Sequence, residues 1–127
     1  MGAAGPRRGA VKVPKRGDVY VVDFDPSRGS EIAKTRPAII LQNDIANRYS
    51  PVTIVAAFTS QFGEKRYPTE VLVQPPEGGL TTESVVLLNQ LRTVDKSRLR
   101  KRLGAVNAAT MAKVDRALAV SIGLREL

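Results

Sequence analysis

The longest β-branched run in the chain is Val52-Thr53-Ile54-Val55-Ala56-Ala57-Phe58-Thr59. It contains no charged residue, and side chains of this kind suit the pleated surface of a sheet. The run therefore predicts a buried central strand. Ahead of it, the polar segment from Asn43 to Pro51 is rich in turn-forming residues and predicts a connection without regular structure.

Two apolar runs precede the central strand. Val19–Phe24 is β-branched and aromatic and ends at an Asp-Pro pair, which predicts the first strand. Arg36–Gln42 predicts the second strand, with Pro37 at its first residue because proline cannot donate to a ladder. Between them, Ser27–Thr35 follows neither a helical nor a strand period and predicts a loop. A loop of about nine residues invites a functional interpretation, and Arg36 lies where it meets the strand.

Three further strand signals follow the central strand. Tyr67–Gln74 alternates between apolar and polar residues and is closed by the turn residues Pro75–Gly79. Ser84–Val94 carries the next apolar run. After the basic segment Lys96–Arg102, a short last strand is expected around Leu103–Val106.

The chain ends on a predicted helix, for which Asn107 is available as N-cap. Helical spacing relates four apolar residues that we expect to pack: Met111, Val114, Leu118 and Ile122. We expect Phe24 and Phe58 in the core and Phe62 as the more exposed ring. About five strands and one terminal helix predict a mainly β, α+β fold, a small and strongly bent antiparallel barrel of the SH3-like kind.

The composition describes one basic domain with a polar extension. At 127 residues the chain fits a single domain, for which we take residues 15–127. Met1–Pro14 is rich in Gly, Ala, Pro and Arg and is expected to be a disordered basic extension. Lys and Arg total 20 against 12 Asp and Glu, a formal charge of +8, which favours a polyanionic partner. Five of these cations fall within residues 1–16, so the folded part is only mildly basic.

Two missing residue types limit the chemistry. The chain has no Cys, which excludes disulfides, thiolate metal sites and thiol nucleophiles. It has no His, which removes the usual general base near neutral pH and the commonest metal ligand. No apolar run is long enough for a membrane helix or a secretory signal, so we expect a cytoplasmic protein.

Six short segments, in this order and spacing, resemble the MazF/PemK toxins of type II toxin-antitoxin systems. They are Lys15-Arg16-Gly17-Asp18-Val19-Tyr20, Gly29-Ser30-Glu31, Arg36-Pro37, Gln42-Asn43-Asp44, Ala56-Ala57-Phe58-Thr59-Ser60-Gln61 and Leu88-Asn89-Gln90-Leu91-Arg92-Thr93. The resemblance runs from about Lys15 to Leu124. It implies an SH3-like barrel homodimer that cleaves single-stranded RNA at short sequences without a metal or other cofactor. It also implies a MazE-like antitoxin whose tail lies in the RNA channel.

The resemblance assigns two residues to catalysis. Arg36 matches the family's essential arginine, and a guanidinium can donate two parallel hydrogen bonds to a phosphate and offset its developing charge. Taken alone, Arg36 would more readily be interpreted as a surface residue paired with Glu31 or Asp44, and the resemblance reverses that preference. Thr59 matches the family's catalytic hydroxyl residue, although by itself it could be an ordinary strand threonine. We expect Thr59 to orient the phosphate or the leaving oxygen.

Carboxylates offer a third catalytic candidate. Glu31 is the possible general base, because some family members have a glutamate in the same Gly-Ser-Glu stretch; a solvated loop carboxylate is the equal alternative. Asp18, Asp23 and Asp25 could together bind magnesium, but their positions at the two ends of one strand favour turn and cap roles.

Ser30, Gln61 and Gln90 are the candidates for RNA contacts, because hydroxyls and amides can read the base edges of a single strand. Each has a structural alternative, a turn hydrogen bond for Ser30 and cross-strand bonds for the two glutamines. The densest basic cluster of the domain could follow the phosphate backbone or form a solvated turn. Its members are Lys96, Arg98, Arg100, Lys101 and Arg102.

The expected reaction is attack of the RNA's own 2′-hydroxyl on the adjacent phosphorus, which requires no histidine. It would leave a 2′,3′-cyclic phosphate and a 5′-hydroxyl and would spare DNA. Two alternatives remain: a nucleic-acid-binding barrel without turnover, and a gyrase-inhibiting toxin of the same fold. The second depends on a C-terminal Trp-Gly-Ile, whereas this chain has no Trp and ends Leu124-Arg125-Glu126-Leu127.

Overall fold

The computed structural model describes residues 13–127. The predicted extension, residues 1–14, lies outside this range except for its last two residues, of which Pro14 is buried. No helix in the described range is long and apolar enough to cross a membrane.

Six strands form one antiparallel sheet in the described part of the chain. They are β1 Asp18–Asp23, β2 Thr35–Ile40, β3 Val52–Thr59, β4 Glu70–Val73, β5 Ser84–Asp95 and β6 Leu99–Ala105. The helices are α1 Asp44–Tyr49 and α2 Ala108–Ser121, and short 3-10 turns span Glu77–Gly79 and Lys96–Arg98. The strand order is β4-β5-β3-β2-β1-β6, so β3 lies inside the sheet as its sequence predicted.

The predicted fold class is confirmed, with one difference in the closure of the sheet. The edge strands β4 and β6 are not paired with each other, so the expected barrel is open. The 3-10 turn Glu77–Gly79 packs on the backbone of β6 instead. A Cβ at Gly79, whose φ is +75°, would collide with the Leu103 carbonyl oxygen, so the turn needs glycine there.

Alternate residues of the central strands enter two cores on opposite faces of the sheet. Ile39, Ala56 and Phe58 belong to the core that α2 covers, whereas Ala38 and Val55 belong to the other. This alternation is the period of two that a strand imposes on its side chains. The sheet is therefore buried on both faces.

Both predicted core aromatics are confirmed, since Phe24 and Phe58 are buried, and Phe62 is only partly exposed. The Asn107 side chain caps α2 by accepting from the Thr110 N–H at 2.8 Å, also as predicted. The expectation that Ile122 packs is wrong. Ile122 follows the last residue of α2 and is 53% exposed, and Ala117 is buried on the helix instead.

Some predicted boundaries are wrong for local reasons. Asn43–Pro51 contains α1, because the Asn43 side chain caps a helix of six residues by accepting from the Ala46 N–H at 2.8 Å. Pro37 is the third residue of β2, not the first. It is tolerated there because pairing of β2 with β3 begins only at Ala38.

Two other strands differ from their predicted length. β4 begins at Glu70, three residues later than expected, and β6 begins at Leu99 within the basic segment rather than at Leu103. The basic residues Lys101 and Arg102 pair with Val21 and Tyr20 of β1, so the basic segment forms a charged edge strand.

Candidate functional site

A cleft opens where β2 begins and β3 ends. The two strands pair as Ala38 with Ala57, Ile39 with Ala56 and Ile40 with Val55. Continuing this register by two residues sets Arg36 across from Thr59, beyond the last paired position. At this point the structure has a cavity of about 500 Å³. Its lining is Lys34, Thr35, Arg36, Pro37, Phe58, Thr59, Ser60, Gln61, Gly79, Leu80, Thr81, Thr82, Ser84 and Leu103.

Arg36 is oriented by the backbone of the preceding loop. Its Nε donates to the Ala33 carbonyl oxygen at 3.0 Å, and the residue is partly buried. Within residues 13–127 it forms no ion pair. The alternative of pairing with Glu31 or Asp44 is wrong, because those carboxylates accept from the backbone N–H groups of Arg28 and Arg16. Arg36 lines the cleft, and its two terminal nitrogens have no acceptor among residues 13–127.

Thr59 presents a hydroxyl with its hydrogen uncommitted. The residue is 9% exposed, and its Oγ1 accepts from the Gln61 N–H at 3.1 Å. A hydroxyl that accepts one bond can still donate its own hydrogen. Gln61 itself is exposed at the rim of the cleft, so its amide is accessible.

Six polar residues that line the cleft were not predicted as site residues: Lys34, Thr35, Ser60, Thr81, Thr82 and Ser84. Lys34 brings a second cation beside Arg36 and has a φ of +69°, unusual for a residue with a side chain. Thr81, Thr82 and Ser84 come from the segment after the 3-10 turn. In the sequence Thr81 and Thr82 look like ordinary turn residues and Ser84 begins a predicted strand, so none of the three carries a local signal for the cleft.

The other predicted site residues lie outside this cleft. Glu31 and Gln90 line a second cavity of about 380 Å³, with Asn89 and Arg92 among its other residues. The Gln90 Oε1 accepts from the Ile32 N–H at 2.8 Å, so part of its polar capacity holds the loop. Ser30 is exposed in the same loop and lines neither cavity. The structure thus brings together Arg36, Thr59 and Gln61 but not the remaining three.

The aspartates near β1 have the predicted turn roles. Asp18 accepts from the Lys15 N–H at 2.9 Å, and Asp25 accepts from the Lys34 N–H at 2.9 Å. A hydrogen bond from the Asp25 N–H, and a second from Arg100, hold the pKa of Asp23 below its usual value. The part of the chain that the structure describes contains no cluster of three acidic residues suited to a metal.

Most residues of the basic cluster within Lys96–Arg102 form hydrogen bonds or ion pairs with other residues of the protein. Arg100 pairs with Asp23 at 3.0 Å and Arg102 with Asp18 at 3.1 Å. Lys96 donates to the Asn47 carbonyl oxygen, and burial lowers its pKa. Exposed cations on β6 remain, but their charge is largely compensated.

At the opposite end of β2 and β3, three polar side chains form a closed network that the sequence did not indicate. Gln42 donates from Nε2 to the Asn47 Oδ1 at 3.0 Å, and Thr53 donates to the same oxygen at 2.7 Å. Asn47 is fully buried and returns a bond from Nδ2 to the Gln42 carbonyl at 2.8 Å. The buried polar groups of these residues hydrogen-bond to one another, which is typical of a structural role.

Comparison with known proteins identifies the fold and the family. The family described as "PemK-like, MazF-like toxin of type II toxin-antitoxin system" matches residues 15–122. An endoribonuclease from a mycobacterial species is 28% identical with a TM-score of 0.72, over 88% of this chain and 93% of its own. Another, solved in complex with its cognate antitoxin, is 29% identical with a TM-score of 0.73, over 90% and 99% of the two chains. MazF from Deinococcus radiodurans is 29% identical with a TM-score of 0.77, over 89% and 99%.

Proposed function

The chain belongs to the PemK-like, MazF-like toxins of type II toxin-antitoxin systems, and on this premise we propose that it is an endoribonuclease acting on single-stranded RNA. We place the reaction in the cleft between the start of β2 and the end of β3. The observation that carries the proposal is the position of the Arg36 guanidinium, which lines the cleft across from Thr59. The Ala33 carbonyl oxygen orients the guanidinium, which forms no ion pair within residues 13–127.

The proposed reaction begins with attack of the RNA 2′-hydroxyl oxygen on the adjacent phosphorus. The 2′-hydroxyl releases its proton to solvent, the bond from phosphorus to the 5′-oxygen breaks, and the leaving 5′-oxygen takes up a proton from solvent, which gives a 2′,3′-cyclic phosphate and a 5′-hydroxyl. Arg36 would donate from its two terminal nitrogens to the phosphate oxygens, whose negative charge grows during the attack. This stabilisation is electrostatic, because an arginine stays protonated at any working pH. The nucleophile is supplied by the RNA, so DNA is spared.

Thr59 would donate its free hydroxyl hydrogen to a phosphate oxygen or to the leaving 5′-oxygen. Lys34 adds positive charge at the same cleft, and Gln61 offers an amide to a neighbouring base. None of the residues that line the cleft carries a carboxylate. Glu31 lies in the second cavity with its carboxylate bound to the Arg28 N–H, so we give it no step in the cleft.

We further propose an antitoxin as the physiological partner. A mycobacterial relative was solved with its cognate antitoxin, which supports the same kind of partner here. An acidic segment that folds on binding would suit a cleft with two cations and no carboxylate. The homodimer and the cytoplasmic location stay predictions; light scattering of the purified protein tests the first.

The gyrase-inhibitor alternative lacks its sequence feature, because the chain has no Trp. The binding-module alternative shares the fold and the charge with our proposal, so only turnover separates the two. A binding module would retain RNA and release it intact.

The deciding experiment is incubation of the protein with a long RNA in EDTA, beside an Arg36→Ala variant. We expect discrete cuts with 5′-hydroxyl ends in the parent and a loss of about 10²- to 10³-fold in the variant, the usual effect of removing one oxyanion donor. Arg48→Ala is the matched control, since Arg48 is exposed on α1 and lines no part of the cleft. Intact RNA from the folded, antitoxin-free parent would establish the binding module, and cleavage only with added metal would refute the metal-free route.

A further inference from the structure

Two arginines bond the carbonyl oxygens of four successive residues at the start of the β1–β2 loop. Arg98 donates from Nη1 to the Asp23 carbonyl at 3.0 Å and also to the Asp25 carbonyl. Arg92 donates to the Phe24 carbonyl at 2.8 Å and to the Pro26 carbonyl at 3.4 Å. Each guanidinium thus takes every second carbonyl of the segment. We call this arrangement the arginine clamp.

The clamp is made by backbone bonds rather than by ion pairs. Neither Arg92 nor Arg98 forms an ion pair with any residue in the range 13–127, and both are partly buried. The Arg92 guanidinium also lies 5.8 Å from the centre of the Phe24 ring. A planar guanidinium can bond two carbonyls at once with several fixed N–H groups, which the point charge of a lysine does less well.

A second attachment holds the far end of the loop. The Ile32 N–H donates to the Gln90 Oε1, and Gln90 is two residues before Arg92 on β5. In a strand, residues two apart share a face, so one face of β5 holds both ends of the loop. Between the attachments lies the exposed segment 28–31, which contains Ser30 and Glu31.

The base of the loop has bonds of its own that do not involve the clamp. The Phe24 N–H donates to the Lys34 carbonyl at 2.9 Å, and the Lys34 N–H donates to the Asp25 carboxylate at 2.9 Å. Phe24 is fully buried. These bonds keep Ala33, which orients Arg36, in place when the clamp is lost. Removing the clamp should therefore release the loop tip more than the cleft.

We propose that Arg92 and Arg98 are positioning residues that fix the tip of the β1–β2 loop and thereby set which RNA sequences are accepted. The inference rests on the proposed ribonuclease function: Glu31 at the tip lines the second cavity, and Lys34 at the end of the same loop lines the cleft. A rigid tip rejects bases that do not fit its polar groups, whereas a loose tip adapts to several. The arginine clamp thus affects which RNA sequences are cleaved, whereas Arg36 affects the rate of cleavage.

The test compares the parent with an Arg92→Lys, Arg98→Lys double variant, which keeps both charges, and with Arg48→Lys as an exposed control. Amide hydrogen exchange of residues 27–32, measured without RNA, is expected to be about tenfold faster in the double variant and unchanged in the control. Cleavage at the preferred sequence is compared with cleavage at sequences that differ by one base. We expect this ratio to fall about tenfold, with kcat at the preferred sequence changed less than about threefold.

Each outcome separates the clamp from other roles. A variant that is only less stable cuts all sequences less, and an unchanged ratio overturns the proposal. If Arg92→Lys cuts like the parent while Arg92→Gln loses activity on every sequence, the arginine acts through its charge on a phosphate, which also overturns it. If the parent cuts no RNA, the proposed function fails, but the exchange measurement still decides whether the clamp holds the loop.

Discussion

Strands β2 and β3 carry polar side chains at both ends of their shared ladder. At one end Gln42, Asn47 and Thr53 bond to one another in the interior. At the other end Arg36 and Thr59 line a cleft, and each has donors without an acceptor among residues 13–127. Among the described residues no buried side-chain nitrogen or oxygen lacks a partner, so the fold satisfies polar groups wherever water cannot. The spare donors at the open end are therefore available to a ligand.

The two ends should respond differently to the loss of a polar group. At the end that contains Gln42, Asn47 and Thr53, which we call the closed end, removal of one of these side chains leaves buried groups without a hydrogen-bond partner. The free energy of unfolding therefore falls. At the open end, water replaces the lost partner, so stability changes little and any loss appears in RNA cleavage.

Asn47→Ala should produce the largest effect, at the closed end. It leaves the Thr53 hydroxyl without its acceptor and the Gln42 carbonyl without its side-chain donor, and it removes one of the two acceptors of the Gln42 Nε2, which keeps the Val52 carbonyl. We expect the free energy of unfolding to fall by about 3 kcal/mol or more, from the penalties of several buried unpaired groups. Urea unfolding of the variant and the parent measures it.

Asn43→Ala is the control for this prediction, because it changes the same residue type at the exposed cap of the same helix. Loss of an N-cap costs about 1 kcal/mol. If the two variants lose equal stability, the network contributes no more than one surface cap, and the contrast between the two ends is wrong.

The same contrast shows how far the sequence alone could go. The β-branched run of β3 and the capped period of α2 are local patterns, and both elements were predicted with nearly their observed bounds. Arg36 and Thr59 were found through their resemblance to family motifs. The register of β2 and β3 in the structure places them across from each other, and the sequence analysis did not predict that register.

What the sequence did not reveal depends on contacts between distant segments. Asn47 lies in a polar stretch that looked like a turn, and its burial results from packing against Gln42 and Thr53. Thr81 reaches the cleft because the turn before it packs on β6 through Gly79. Gln90 as an RNA contact stays a prediction, and the bond from the Ile32 N–H to its Oε1 could not be predicted because no local pattern gives the path of that loop.

A matched pair of substitutions tests the same difference between the two ends, with a smaller expected effect. Thr53→Val and Thr59→Val remove one hydroxyl each and keep the shape of the side chain. For Thr53→Val we expect a loss of about 1 to 2 kcal/mol in unfolding free energy, with unchanged cleavage per folded molecule. For Thr59→Val we expect a loss of about 10- to 100-fold in kcat with nearly unchanged stability.

Urea unfolding and a cleavage assay are run on both variants. They give the unfolding free energy and the cleavage rate of each, for which the difference between the two ends predicts the values above. The contrast fails if Thr59→Val is the less stable of the two, or if Thr53→Val slows cleavage as much as Thr59→Val does. A pair that loses both properties together would indicate that the whole ladder acts as one unit.

The smallest expected effect concerns two exposed carboxylates, one near each end. Asp23 pairs with Thr35 beside the cleft, and Asp95 pairs with Val52 beside the closed network. Hydrogen bonds lower the pKa of both, from the Asp25 N–H and Arg100 for Asp23, and from Ser97 for Asp95. A carboxylate whose pKa is lower in the folded than in the unfolded protein stabilises the fold above the unfolded value. That contribution is lost as the pH falls below about 4 and through the folded value.

Asp23→Asn and Asp95→Asn should therefore each make the acid-induced fall in Tm slightly shallower, and leave Tm near pH 7 slightly lower than in the parent. Thermal unfolding at a series of pH values measures both, and added salt should shrink the difference at Asp23, where part of the shift comes from Arg100. Because water reaches both carboxylates, the two effects should be of similar size whichever end they lie near. A much larger effect at Asp23 would show that the start of the β1–β2 loop behaves as part of a buried network. Asp23 would then not be a solvated carboxylate, and the contrast between the two ends would not hold there.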